Sequence, residues 1–204
     1  MIAIIDFGMG NLGSIQNMLI RMGYEAKITS DLDTISNSSK LILPGVGAFD
    51  KAMSNLKNKG LIPTLNHLVF EKKVPILGIC LGMQLLSNRS EEGVLDGLGW
   101  IDSETLLFKF DVNENLRIPH MGWNTIRIQK DSCLFHDMFD EPRFYFVHSF
   151  YVKCNHNDDI LAMTDYGFAF VSSMNRDNIY GVQFHPEKSH KFGMKILKNF
   201  AELC

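Results

Sequence analysis

Long apolar runs, an excess of one charge and clustered cysteines are all missing from this chain. No stretch approaches the roughly 20 apolar residues that a membrane span needs, so no membrane role is expected. With 20 basic against 23 acidic residues the net charge is −3, and there is no basic field to attract nucleic acid or an anionic surface. The four cysteines, Cys80, Cys133, Cys154 and Cys204, show no CxxC spacing. That argues against a disulfide framework or a zinc site and for a reducing cytoplasm. Met1-Ile2-Ala3-Ile4-Ile5-Asp6 has no basic leader and reads as a first strand, not a signal peptide. Repeats, low-complexity stretches and linkers are absent too. What is there is 204 residues, 46% hydrophobic and 21% charged. This is the profile of one globular domain over residues 1–204, long enough to bury roughly 70% of its unfolded surface.

The first half alternates strand and helix patterns. Ile2–Ile5, Tyr24–Thr29 and Lys40–Leu43 read as short buried strands. Leu12, Ile15, Leu19 and Met22 share one helix face, and Gly23 is a natural stop. Further helical stretches fall near Phe49–Lys57 and Ile62–Lys72. The β-α-β-α order predicts a parallel sheet with helices on both faces. The second half is β-rich, with segments at Glu104–Phe110, Asn124–Ile128, Phe144–His148, Tyr151–Cys154, Ile160–Thr164, Phe168–Ser173 and Ile179–Phe184, before a closing helix near Gly193–Leu203. The expected fold class is α/β: three layers, with an antiparallel β portion added to the parallel sheet.

One local pattern carries chemistry. The apolar run Val74-Pro75-Ile76-Leu77 leads into Gly78-Ile79-Cys80-Leu81-Gly82 and then a helical pattern from Met83. A residue at such a strand-to-helix turn is strained and exposed, with flanking glycines relieving the crowding. The pattern is a nucleophile elbow with a thiol in place of a hydroxyl, and the start of the following helix favours the thiolate. A thiolate needs a base and the base an orienting group. Gly181-Val182-Gln183-Phe184-His185-Pro186-Glu187 supplies both at the end of another apolar strand: His185 to take the proton and Glu187 to fix the imidazole. An oxyanion would be met by the N–H of Leu81 and by the loop Pro44-Gly45-Val46-Gly47. Two rival patterns are weaker. Gly8-Met9-Gly10-Asn11-Leu12-Gly13, with Asp31 beyond the next strand, matches a dinucleotide-binding fingerprint. That reading leaves Cys80, His185 and Glu187 unexplained, and the same glycines serve as a loop on a docking rim. His185, Glu187 and His190 lack the spacing of metal ligands, so neither metal nor cofactor is expected.

These residues resemble a known family. Gly78-Ile79-Cys80-Leu81-Gly82-Met83-Gln84 with the distant Phe184-His185-Pro186-Glu187 is similar to the class-I (triad) glutamine amidotransferases, which share a flavodoxin-like α/β fold. Leu43–Phe49, Pro119-His120-Met121-Gly122-Trp123-Asn124 and Tyr145-Phe146-Val147-His148-Ser149 narrow the likeness to glutaminase subunits of imidazole glycerol phosphate synthases. The resemblance implies hydrolysis of L-glutamine to glutamate and ammonia through Cys80, His185 and Glu187. It puts Gly45, Val46, Gly47, Leu81, Gln84, His148 and Ser149 around the substrate. It also implies a heterodimer with a (β/α)8-barrel cyclase, contacted through Asn11, His120, Trp123, Tyr145 and Lys188, which would use the ammonia to make imidazole glycerol phosphate and AICAR from PRFAR. One stretch departs. Trp100-Ile101-Asp102 stands where many histidine-pathway members carry a glycine, and it looks more like paralogues that supply ammonia for amidating a surface-polysaccharide or nonulosonic-type sugar.

Overall fold

The computed structural model describes residues 1–111 and 116–204. Five strands form its parallel sheet, in the order β2 (Ala26–Thr29), β1 (Ile2–Ile5), β3 (Lys40–Gly45), β4 (Ile76–Cys80) and β13 (Ile179–Val182). The inner strands are near-continuous apolar runs because both faces are covered, whereas the edge strand β2 keeps Lys27 exposed. In β1, Ile2 and Ile4 face one core while Ala3 and Ile5 face the other. The first core takes Ile15 and Leu19 of α1 (Leu12–Arg21) and Ile196, Leu197 and Phe200 of α6 (His190–Leu203). The second takes Ile35 of α2 (Leu32–Ser36) together with apolar residues of α3 (Phe49–Asn58), α4 (Leu61–Asn66) and α5 (Leu81–Leu85). Three layers result.

Beyond β13 the sheet turns antiparallel through β12 (Phe168–Arg176), β10 (Phe150–Cys154) and β6 (Ser103–Leu107), with the short β5 (Arg89–Ser90) at its edge. β11 (Ile160–Tyr166) pairs with β12, and β8 (Arg127–Ile128) with β11. A separate antiparallel pair, β7 (His120–Thr125) and β9 (Arg143–His148), places Trp123 opposite Tyr145. The Ile118–Pro119 peptide entering β7 is cis.

Two expectations change. The helix predicted over Ile62–Lys72 is α4 followed by a π-turn at His67–Glu71. The cysteine spacing argued against disulfides, yet Cys133 and Cys204 are joined, with Cα atoms 5.5 Å apart across 71 positions of sequence. Spacing along the chain cannot reveal a pair that meets only when α6 packs beside the turn at Cys133–Phe135, so the thiol count carries no statement about redox compartment. Among the described residues no helix is long and apolar enough to cross a membrane.

Candidate active site

Cys80 ends β4 with φ 54° and ψ −110°, a strained conformation for a non-glycine residue. Sterics explain the glycines around it. A Cβ on Gly78 would sit 2.7 Å from the Gly82 carbonyl oxygen, and one on Gly82 would overlap the carbonyl of Leu43 in β3. The helix that follows the thiol is only five residues long, so its dipole is modest and the side chains around the sulfur carry more of the electrostatics.

Sheet register assembles the rest. Gly45 lies opposite Cys80 in β3, and Val182 lies opposite Ile79 in β13. The loops leaving these neighbouring strands therefore converge on the thiol, as parallel sheets do at their C-terminal edge. His185 follows β13, and its Nδ1 donates to Oε1 of Glu187 at 2.8 Å, both side chains about 2% exposed. Nε2 of His185 has no other nitrogen or oxygen partner among the described residues. Burial pushes the imidazole down, but the Cys80 thiol and the Glu187 carboxylate outweigh it and raise His185 to about 10. The ring is thus held as the cation, the natural partner of a thiolate.

Over the sulfur opens a cavity of about 380 Å³, lined by Val46, Gly47, Leu81, Gln84, His148 and Ser149 among others. All six were expected around a substrate. Gly47 adopts φ +114°, and the 8–13 loop packs on this turn, with Met9 over Gly47 and Gly10 against Pro44. The GxGxxG motif is therefore a brace for the 44–47 loop. Its third glycine, Gly13, faces open space, unlike the close-packed glycine of a dinucleotide fingerprint. Asp31 caps α2, accepting from the backbone N–H of Thr34 at 2.8 Å. A larger hollow of about 740 Å³ is bordered by Lys130, Asp131 and Cys133, whose sulfur is bonded to Cys204.

Glu92 also lines the cavity, and sequence reasoning missed it because no motif or periodicity marks its loop. Its Oε2 accepts the Phe49 backbone N–H at 3.0 Å, while Asp50 accepts from Val94 and Leu95. Burial raises the Glu92 carboxyl, the Phe49 bond opposes this, and nearby Asp50 adds to it.

The residues expected at a partner surface divide. Trp123 is 46% exposed and stacks on His190 with ring centres 5.4 Å apart. It meets Tyr145 edge-on, and the Lys188 ammonium lies 5.5 Å from the Tyr145 ring centre. Asn11, exposed at the start of α1, accepts a hydrogen bond from Ser14 at 2.9 Å. His120 is the exception. The alternation of β7 turns it inward to 3% exposure, the reverse of the surface position expected for it. There Nδ1 of His120 donates to Nε2 of His148 at 3.0 Å, and Nδ1 of His148 donates to the Phe150 carbonyl at 2.7 Å. The carbonyl can only accept, which sets both tautomers. Burial holds His120 near 4 and, with the nearby histidines, His148 near 3, so both are neutral. Trp100 is buried with its indole N–H on Asn66 at 2.8 Å, and Asp102 accepts from Asn88 and Asn155.

A thiol opposed to a charged imidazole, beside glycine-bearing backbone and at the base of an open cavity, suits transfer of a carboxamide acyl group to sulfur. The family model for "Glutamine amidotransferase class-I" matches residues 3–203. The chain is 56% identical over 200 residues, 98% of each protein, to imidazole glycerol phosphate synthase subunit HisH 2 of Methanococcus maripaludis. It is 47% identical over 203 residues, the full length of both, to the HisH 2 subunit of Pseudomonas aeruginosa. A crystal structure of a glutamine amidotransferase superposes with TM-score 0.76 at 17% identity, covering 99% of this chain and 97% of that one, a likeness of fold. By sequence over its whole length and by fold, this chain belongs to the class-I glutamine amidotransferases.

Proposed function

We propose that this chain is the glutaminase subunit of an imidazole glycerol phosphate synthase. The observation that carries the reading is the strained elbow thiol acted on by a buried His185–Glu187 pair. In this mechanism the Cys80 thiolate attacks the side-chain carboxamide of L-glutamine, and the oxyanion is met by backbone N–H groups of Leu81 and the Val46–Gly47 turn. His185 gives its proton to the departing nitrogen, and ammonia leaves. The γ-glutamyl thioester is then cleared by water that gives one proton to His185; the tetrahedral intermediate collapses to glutamate, which gives its acid proton to solvent, and the Cys80 thiolate is restored. Glu187 keeps the imidazole oriented and stabilises its charge. Gln84, His148 and Ser149 position the substrate, and Glu92 is the counter-charge for its α-ammonium, being a carboxylate on the wall of a cavity sized for one amino acid.

Ammonia released here is useful only to a partner. We assign Trp123, Tyr145, Lys188 and Asn11 to the surface that receives a (β/α)8-barrel cyclase, which would turn PRFAR into imidazole glycerol phosphate and AICAR in the cytoplasm. Support comes from the exposed aromatic ring of Trp123, an anchor of the kind that dominates interfaces, and from the names of full-length relatives. The test is Cys80→Ala assayed with the barrel subunit and PRFAR. Product formation should vanish with glutamine and persist with ammonium salt. Loss of both, or loss of neither, defeats the proposal.

A further inference from the structure

Gln183 precedes Phe184–His185 and is completely buried. Because Val182 pairs with Ile79 in the β13–β4 register, the next residue along comes beside Cys80. Its Nε2 lies 3.7 Å from the Cys80 sulfur. Which end of a glutamine amide faces a neighbour is normally ambiguous, but here a backbone carbonyl settles it. The Phe150 oxygen accepts from Nδ1 of His148 at 2.7 Å and from Nε2 of Gln84 at 3.1 Å. A carbonyl has no proton to give, so Gln84 must present its NH2 group to it. The second N–H of that group goes to Oε1 of Gln183 at 3.1 Å. The Gln183 NH2 is left for the sulfur. Flipping it would set two NH2 groups against each other and a carbonyl oxygen against the thiolate, each buried and unpaired.

We infer that Gln183 is a catalytic residue of this reaction: it donates a hydrogen bond to the Cys80 thiolate, with its amide locked in the donating orientation by Gln84 and the Phe150 carbonyl. The inference rests on Cys80 being the nucleophile. A donor to sulfur favours the thiolate over the thiol. It also acts in the second half of the reaction. The bond weakens when the sulfur is acylated and loses its charge, then strengthens as the thioester collapses and the thiolate leaves. That gain, realised as charge develops, speeds deacylation. The other titratable groups around the thiol are His185, which is charged, His148, which is neutral, and Glu92 on the cavity wall. With only a five-residue helix behind the sulfur, Gln183 supplies a stabilisation that the helix dipole does not.

The experiment is alkylation of the full-length chain by iodoacetamide as a function of pH, without glutamine or partner, with the site of modification read by peptide mass spectrometry. Cys154 does not interfere, because burial and then the Asp159 charge push its thiol up to about 12. In Gln183→Leu, Cys80 should be alkylated about tenfold more slowly at neutral pH, with the profile displaced to higher pH and a cooperative melting curve retained. A folded variant with the wild-type rate and profile overturns the inference. If Gln183→Leu fails to fold, the wild-type chain decides: the 15N-labelled side-chain NH2 signals of Gln183, assigned through the backbone, should shift when Cys80 is alkylated, and unchanged signals overturn it. Absence of glutamine hydrolysis by the wild-type complex would instead remove the nucleophile reading, and it is measured separately.

Discussion

Gly82→Ala tests the packing that holds the elbow. A Cβ there overlaps the Leu43 carbonyl oxygen, lies 2.8 Å from that carbonyl's carbon and 3.5 Å from the Pro44 Cα. All three are backbone atoms of β3, which is bonded to β1 on one side and β4 on the other, so no side chain can swing away. Restoring normal contact distances requires α5 and β3 to part by on the order of 1 Å. Overpacking of this kind costs about 1–3 kcal/mol or more. Because β3 runs directly into the Gly45–Gly47 turn, the same movement displaces the oxyanion loop from Cys80, and a misplacement of about 1 Å in an active site costs roughly 100-fold in rate. Urea unfolding followed by circular dichroism should show the stability loss, and glutamine hydrolysis with the barrel partner present should show the rate loss. Gly13→Ala is the control. Its Cβ meets nothing within 4 Å inside α1, so better helix propensity should stabilise the chain by about 0.5–1 kcal/mol. A Gly82→Ala protein with wild-type stability and activity refutes the steric account. A Gly13→Ala protein that is clearly destabilised refutes the assignment of the 8–13 loop as a brace without close packing at its third glycine.

Glu92→Gln should raise KM for glutamine about tenfold while leaving kcat near its original value, since it removes the charge facing the α-ammonium; it should also lose discrimination against a substrate lacking that amino group, and an unchanged KM would reject the role. The neutral His120–His148 pair makes the fold acid-sensitive. Their native values, near 4 and near 3, lie below the ordinary value of 6.5, so between pH 6.5 and 4 the unfolded chain binds more protons. Stability is then full above 6.5 and falls as the pH drops, by up to about 1.4 kcal/mol per pH unit for His148 alone; urea midpoints should show a smaller acid decline in His120→Asn, and an identical decline would contradict the account. On the alkaline side His185 behaves oppositely, because its native value of about 10 lies above the ordinary 6.5. Its stabilising contribution is complete below 6.5 and is lost as the pH rises through 10, where activity should fall as well. Thiol counting on the unreduced, denatured chain should find Cys80 and Cys154 free and no others. By loop-closure entropy, Cys204→Ser should lower stability by up to about 4 kcal/mol, and four titratable thiols would rule out the Cys133–Cys204 bond.

Local patterns determined a great deal here. Strand, turn and helix signals around Cys80 sit within a few residues of one another, and so do His185 and Glu187, so the reacting groups were legible in order along the chain. The same holds for α1, expected over Leu12–Met22 and found at Leu12–Arg21, and for the parallel half of the sheet, whose strands are apolar enough to stand out. The five-residue α2 was missed, because its one buried side chain, Ile35, makes no periodicity. Tertiary structure alone decided what depends on distant segments meeting. Register put Gln183 beside the sulfur and turned His120 from the surface to the interior, the α3–loop contact brought Glu92 to the cavity wall, and the docking of α6 joined Cys204 to Cys133. The physical reason is that hydrophobic period and turn chemistry act between near neighbours, whereas which strand lies next to which, and in what register, is settled only when the two cores close on both faces of the sheet.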